Sequence, residues 1–209
     1  MRVNEQGRSM IEMLGVLAIV GVLSVGGIAG YSKAMTKFKT NKVIDQVNML
    51  STNIRTLFAS QRTFFGLNNA LTNRAGAVPA EMVADNTTSV IQNGFGGNVK
   101  IATAKHLGVA DQAYVIAFDG IPKAACVTMA TTDWGGDVGS GFALMYIGSG
   151  ATAVTVDAAI TAAGADSEPP AASNVAKPGD PSYPTPMNVV NAQLSCQHNT
   201  GNAIAWKYI

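Results

Sequence analysis

Residues 10–31 read MIEMLGVLAIVGVLSVGGIAGY, and this stretch decides the fold. Within it, residues 13–31 form a run of 19 without a single charge. A helix of that length can cross the roughly 30 Å hydrocarbon core of a bilayer. A cleaved secretory signal is the alternative, but its apolar core spans only about 7–15 residues. The carboxylate of Glu12 at the start of the run, and a helical pattern that continues past its end, favour a helix that the mature protein keeps.

The helical pattern continues beyond Tyr31, through four lysines, into an amphipathic segment. Apolar residues recur there at intervals of three and four, which is one face of an α-helix: Val43, Val47, Leu50, Ile54, Leu57 and Phe58. No proline precedes Pro79. We therefore predict one helix over residues 9–60, on the order of 75–80 Å long at 1.5 Å per residue. A single small domain cannot bury such a helix, so its apolar half is expected to protrude and to contact lipid or other copies of the chain.

The residues ahead of the apolar run form a short polar leader that ends at Gly7. Arg8 follows, and Glu12 stands five residues beyond the glycine. A glycine before an apolar helix, with a glutamate at this spacing, resembles the prepilin processing site of the superfamily of type IV pilins and type II secretion pseudopilins. The resemblance implies that a membrane prepilin peptidase cuts between Gly7 and Arg8 and N-methylates Arg8.

Glu12 also invites a functional interpretation on chemical grounds. A carboxylate in a membrane helix costs about 2–3 kcal/mol at the bilayer centre and usually has a partner. Cleavage after Gly7 would create one, the α-amino group of Arg8 on a neighbouring, staggered copy. Two such charges 4 Å apart attract by roughly 4 kcal/mol at an effective dielectric of 20. We predict that this pair sets the register between subunits. The alternative is that Glu12 lies at the lipid headgroups and favours the helix dipole.

The remainder of the chain is predicted to form an antiparallel sheet that packs on the amphipathic half of the helix, so the fold class is α+β. A turn cluster is expected at residues 93–98, and a short helix is expected after Pro122 and another over residues 189–196. Six of the eight prolines fall in residues 169–186, which predicts a surface loop. Strands are expected over residues 99–103, 113–118, 142–147, 151–156 and 203–208, with the third paired to the fourth.

The chain has two cysteines, Cys126 and Cys196. In an exported protein such a pair most simply forms a disulfide. Closing a loop of about 70 residues can contribute up to about 4 kcal/mol in the chain-entropy model. A catalytic cysteine is the alternative, but His106 and His198 stand in no recognisable motif.

Three features in this part of the chain indicate a resemblance to a narrower class within that superfamily. The Asn-Gly-Phe-Gly-Gly cluster of residues 93–97, the helix start at residues 123–126 and the late second cysteine resemble type IVb pilins. In that class the disulfide delimits a large variable region, exposed on the filament and used in subunit packing. The resemblance implies that residues 126–196 are this region here.

The predicted organisation therefore has four parts. Residues 1–7 are the leader, residues 8–32 a transmembrane helix that becomes the filament core, residues 33–60 its amphipathic continuation and residues 61–209 a globular head.

Composition argues against several other functions. Only 13% of residues are charged and the net charge is +1, so there is no electrostatic case for nucleic acid. No nucleophile elbow, Walker loop or dinucleotide fingerprint is present. Zinc would need more ligands in a recognisable spacing. A calcium site at Asp133 and Asp137 is less favoured than a plain glycine-rich turn. We expect no enzyme, no catalytic residue, no cofactor and no metal.

The resemblance implies a structural subunit of a type IV pilus. Its expected partners are other copies or related pilins, prepilin peptidase, the bacterial inner membrane, and the inner-membrane assembly machinery with its ATPase. The subunit is expected in the inner membrane before assembly and in an extracellular filament afterwards. A pseudopilin of a type II secretion system is the first alternative. A membrane-anchored periplasmic enzyme or binding protein is the second.

Overall fold

The structure is a computed structural model that describes residues 10–85, 89–135, 140–148, 154–164 and 174–209. The chain separates into two compact units, Met1–Phe38 and Lys39–Ile209. We describe each unit by itself.

The first long element is a 49-residue helix, α1, over Met10–Phe58. Its absence of proline and its apolar content favour an uninterrupted helix, and its bounds confirm the predicted helix to within two residues at each end. None of residues 10–34 is buried. Among the described residues, α1 is the one helix long and apolar enough to cross a membrane.

In the second unit, α1 buries one face. The buried residues are spaced by three and four, as the amphipathic pattern predicts. They are Thr40, Val43, Gln46, Val47, Leu50, Ser51, Ile54 and Phe58. Leu57, which was also expected on this face, is half-buried against the same core.

A seven-stranded antiparallel sheet lies against this face, within the part of the chain that the structure describes. Its strands are β1 Val83–Asp85, β2 Val90–Gln92, β3 Asn98–His106, β4 Val109–Ile121, β5 Phe142–Gly148, β6 Val175–Ala176 and β7 Asn202–Tyr208. They lie in the order β1-β2-β3-β4-β7-β5-β6, so β7 enters between β4 and β5 and joins the two halves of the sheet. A long helix with an antiparallel sheet confirms the predicted α+β class.

Shorter helices flank the sheet. Asn68 caps α2 by accepting a hydrogen bond from the backbone N–H of Leu71 at 2.9 Å, and Asn188 caps α5 in the same way through Asn191 at 2.8 Å. The helices are α2 Asn69–Arg74, α3 Lys123–Ala130, α4 Val156–Gly164 and α5 Val189–Ser195, with a 3-10 turn at Ala80–Met82.

Two cores form because alternate residues of a strand point to opposite faces of the sheet. The face towards α1 carries large side chains, such as Ile116, Phe118 and Trp206. The opposite face carries small ones, and α4 packs on it. This second core consists of Ala104, Ala113, Val115, Ala117, Val156, Ala159, Ala163, Ala203 and Ala205. Alanines on both sides let the α4 backbone approach the sheet closely.

The predicted strand over residues 151–156 is wrong. Residues 151–153 lie outside the described part, residues 154–155 are in no strand, and Val156 begins α4. Strand β5 pairs instead with β7 and β6. A short apolar run does not distinguish strand from helix by itself, and here burial at positions 156, 159 and 163 is helical.

The proline-rich stretch of residues 169–186 is not wholly a surface loop, because β6 lies within it and is buried. Residues 169–173 lie outside the described part. The helices after Pro122 and over residues 189–196 are confirmed as α3 and α5, and the turn at residues 93–98 is confirmed as well. The sequence did not predict α2, β1 or β2.

Candidate assembly surface

The apolar segment of α1 is exposed along its length in the described part of the first unit. Ile11, Val22 and Val25 are each more than 70% exposed, and their neighbours along the segment are similar. A soluble monomer rarely exposes a contiguous apolar patch of more than a few hundred Å². The segment therefore requires lipid or protein around it.

Glu12 lies in the first turn of α1 and is exposed. The other two residues of the predicted processing and register site, Gly7 and Arg8, lie outside the described residues. The pairing of Glu12 with the amine of Arg8 therefore stays a prediction. A carboxylate in the first turn is also favoured by the helix dipole, whatever else it contacts.

Cys126 and Cys196 form the predicted disulfide, with their Cα atoms 5.8 Å apart. Cys126 lies in α3 and Cys196 follows the last residue of α5, and both are fully buried. Since neither of the chain's two cysteines is free, the alternative of a catalytic thiol is excluded.

Two backbone hydrogen bonds also connect α3 with the residues on either side of α5. The N–H of Met187, just before α5, donates to the carbonyl of Ala130 at the end of α3, at 3.2 Å. The N–H of Lys123, at the start of α3, donates to the carbonyl of Asn199 at 3.1 Å. The two helices thus run antiparallel and are tied at both ends.

Residues 126–196 do not form an independent lobe. They contribute α4, β5 and β6, and β5 hydrogen-bonds to β7, which follows the second cysteine. The disulfide-bounded region is therefore built into one half of the sheet.

A polar contact that the sequence did not reveal joins α1 to two loops of the second unit. Gln46 is buried, and its Nε2 donates to a carboxylate oxygen of Glu81 at 3.1 Å. Its Oε1 accepts from the backbone N–H of Gly94 at 3.0 Å. Lys42 adds an ion pair to Glu81 at 3.5 Å. A lone polar residue on an otherwise apolar helical face was the available signal, since a buried amide needs partners.

Aromatic side chains surround Arg55 at the end of α1. Its guanidinium carbon lies 5.2 Å from the centre of the Tyr208 ring, and Tyr208 stacks on Tyr114 at 5.3 Å. The hydroxyl of Tyr114 donates to the carbonyl of Ser51 at 3.1 Å. Burial raises the pKa of Tyr114 to about 12, against an opposing effect of Arg55. Burial and the neighbouring tyrosine likewise raise the pKa of Tyr208 well above its ordinary range. Both phenols are therefore neutral at physiological pH.

The remaining candidates are the two histidines and the aspartates considered for metal binding. His106 ends β3, and the Nδ1 of His198 accepts a hydrogen bond from the N–H of Thr200 at 3.2 Å. Within the described ranges, no three His, Cys, Asp or Glu side chains are grouped as metal ligands would be. Asp137, considered above for calcium, lies outside the described residues, while Asp133 accepts from the backbone N–H of Gly135.

Comparison with known proteins places the chain in a family. The Bundlin family model matches residues 32–208. The major structural subunit of the bundle-forming pilus of Escherichia coli O127:H6 is 29% identical over 131 residues, which are 63% of this chain and 66% of that relative. The chain thus aligns with just under two thirds of that relative's length.

Two solved structures share the fold. TcpA, a type IV pilin from Vibrio cholerae El Tor biotype, superposes with a TM-score of 0.56 at 19% identity, over 82% of this chain and 99% of TcpA. The type IVb pilin from Salmonella typhi superposes with a TM-score of 0.52 at 16% identity, over 80% of this chain and 98% of that pilin. At these identities the likeness concerns the fold. Together with the family match over most of its length, it shows that this chain belongs to the Bundlin family and has the fold of a type IVb pilin.

Proposed function

We propose that the chain is a structural subunit of a type IV pilus. One observation carries the proposal: a 49-residue helix exposes an apolar surface in its first part and, in the second unit, packs its other part against a disulfide-linked α+β head. Membership of the Bundlin family supports it, as does the relative described as the major structural subunit of a pilus.

The exposed apolar helix fits storage in the inner membrane followed by assembly into an extracellular filament. Moving it from lipid to a bundle of like helices is nearly neutral in hydrophobic terms, because both surroundings are apolar. Its transfer out of the membrane therefore needs an inner-membrane assembly machinery with an ATPase. Other copies of the chain or related pilins then surround the helix.

Processing follows the resemblance at the start of the chain. Prepilin peptidase removes residues 1–7 by cutting between Gly7 and Arg8, and Arg8 is N-methylated. The freed amine of one copy then pairs with Glu12 of the next, which fixes the stagger between them. Residues 8–32 form the membrane and filament-core segment, and residues 33–60 continue the helix into the head of residues 61–209.

A structural role in a filament fits a head in which a disulfide links α3 to the residue that follows α5. Within the described residues, the buried side chain of Gln46 joins α1 to Glu81 and to the turn at Gly94. The pseudopilin alternative shares the helix and the leader, but the type IVb pilin fold and the pilus relatives favour a pilus subunit.

Deletion of the gene in its host tests the proposal. We expect surface filaments to disappear, to return when the gene is restored, and to contain the protein when sheared and purified. Secreted enzymes should be exported normally in the deletion strain. Intact filaments in the deletion strain, or lost enzyme export with normal filaments, would contradict the proposal and favour the pseudopilin.

A further inference from the structure

The second unit leaves one face of α1 uncovered. While Val43, Val47, Leu50 and Ile54 are fully buried, the residues on the opposite side are exposed. These are Asn41, Asp45, Asn48, Met49 and Thr52. Met49 is 51% exposed. This face is available to another helix of the filament.

Asp45 is the charged residue on that face. Apart from Glu12, it is the only acidic residue of α1. Its side chain makes no ion pair or hydrogen bond with any of the residues that the structure describes. Beside Met49, a neighbouring helix would remove Asp45 from water. An isolated charge is then costly unless an opposite charge meets it.

Lys39 offers the matching charge. It is partly exposed and, like Asp45, has no partner among the described side chains, whereas Lys42 is already paired with Glu81 at 3.5 Å. Lys39 precedes Asp45 by six residues, which is about 9 Å along the helix axis and about 120° around it. The two side chains therefore lie at different heights and on different sides of α1.

That placement prevents the pair from closing within one helix but suits two parallel copies. A copy displaced by about 9 Å brings its Asp45 level with Lys39 of the first. Because the contact uses two different sides of the helix, it is heterologous, and it repeats from copy to copy as an open filament requires.

The direction of the displacement agrees with the proposed register pair at the start of the chain. In both pairs the positive group precedes the acid in the sequence, by four residues for Arg8 and Glu12 and by six for Lys39 and Asp45. Both pairs therefore need the neighbouring copy to be displaced in the same sense along the chain.

We propose that Asp45 of one copy forms an ion pair with Lys39 of a second copy of this chain, as a second register contact between neighbouring helices. The inference rests on the proposed filament function. It adds a contact at the level of the head, where the helix surface is polar on one side, to the contact proposed near the start of the apolar segment.

Charge reversal tests the pair in cells that lack the wild-type gene. Asp45→Lys and Lys39→Asp should each lower the yield of sheared filaments by about tenfold or more, because like charges then meet at every subunit. The double variant should recover to within about threefold of wild type, since the opposite charges are restored. A matched control combines Asp45→Lys with Lys37→Asp, which has the same net charge and should stay low.

Crosslinking gives a second readout that does not depend on charge. Copies carrying Lys39→Cys and copies carrying Asp45→Cys, when they are expressed together, should be linked into dimers by a bismaleimide reagent, because its spacer covers the distance that the longer lysine and aspartate side chains bridge and a direct disulfide does not. Either variant alone should not. Cys126 and Cys196 do not interfere, because both are buried in their own disulfide.

The outcomes separate this inference from the proposed function. Filaments that are missing even with the wild-type chain contradict the filament function itself. Wild-type filaments together with normal filaments from Asp45→Lys overturn only the ion pair. Recovery of the filament yield when Asp45→Lys is combined with Lys37→Asp would also overturn only the ion pair. The same holds if the yield from the Asp45→Lys, Lys39→Asp variant stays low and the cysteine variants give no crosslink, provided that the charge-reversed variant accumulates in the membrane with its disulfide formed.

Discussion

The side chain of Gln46 and the backbone of Gly94 meet at 3.0 Å, with the amide oxygen accepting the glycine N–H. Glycine is favoured at this position, because a Cβ at position 94 would lie 3.2 Å from Cγ2 of Val43, which would have to shift to make room. A buried polar side chain on α1 and the backbone of a glycine in the turn at residues 93–98 thus join this turn to the helix.

Removing this contact should destabilise the head. Gln46→Ala removes a buried amide and leaves the N–H of the half-buried Gly94 without its acceptor, and we expect a loss of about 1–3 kcal/mol in the free energy of unfolding. The matched control is Gln61→Ala, since Gln61 is exposed and should change stability by less than about 0.5 kcal/mol. Urea unfolding of the detergent-solubilised chain measures both. Equal stability of the two variants would show that the contact is unimportant.

The disulfide should matter for stability and resist reduction in the folded protein. Replacing Cys126 and Cys196 together by alanine should lower the free energy of unfolding by about 2–4 kcal/mol, because the link restricts the unfolded chain. Both sulfurs are buried. A reductant should therefore leave the native chain intact and act only when denaturant is added, as measured by thiol alkylation. Rapid reduction without denaturant would contradict the buried position.

High pH should weaken the head through its buried tyrosines. The pKa of Tyr114 is raised from 10.0 to about 12 in the folded protein. Between those values the unfolded chain loses the phenolic proton more readily than the folded chain does. The stabilisation is therefore complete below pH 10 and is lost as the pH rises towards 12. Unfolding measured from pH 8 to 12 should show this decline, and it should be shallower in Tyr114→Phe. An identical decline in that variant would exclude Tyr114 as its cause.

The sequence predicts those elements that have a strong local pattern. The spacing of Val43, Val47 and Leu50 shows the buried face of α1, and a proline marks the start of α3. Element α4 was missed because Val156 and its neighbours form a short apolar run that suits a strand or a helix equally well. Its helical state depends on the alanine-rich face of the sheet beneath it, which is formed by strands distant in sequence.

The functional site is predictable to a different extent. The disulfide could be predicted because the chain has two cysteines, whereas the pairing of Glu12 with the amine of Arg8 stays a prediction. The partners of Gln46 could not, since Glu81 and Gly94 approach it only after the loops have folded. The complementarity of Lys39 and Asp45 likewise depends on knowing which face of α1 the sheet leaves open.

Glu12 should be needed for assembly and not for insertion or processing. We expect Glu12→Ala to give a processed chain that remains in the membrane and forms at least about tenfold fewer filaments. The variant lacks the attraction between the Glu12 carboxylate and the amine of the neighbouring copy, which is proposed to fix the register between subunits. Glu12→Asp keeps the charge and should assemble better than Glu12→Ala. Sheared filaments and membrane fractions measure the two steps. Normal filaments from Glu12→Ala would refute the register role.

The mass of the N-terminal peptide of the mature protein tests the central claim most directly. If the mature protein keeps α1 and the copies assemble through it, the mature chain begins at Arg8 and carries one added methyl group. A mature chain that begins near Gly30 would mean that the apolar segment is an export signal and is removed, and it would contradict assembly through this helix.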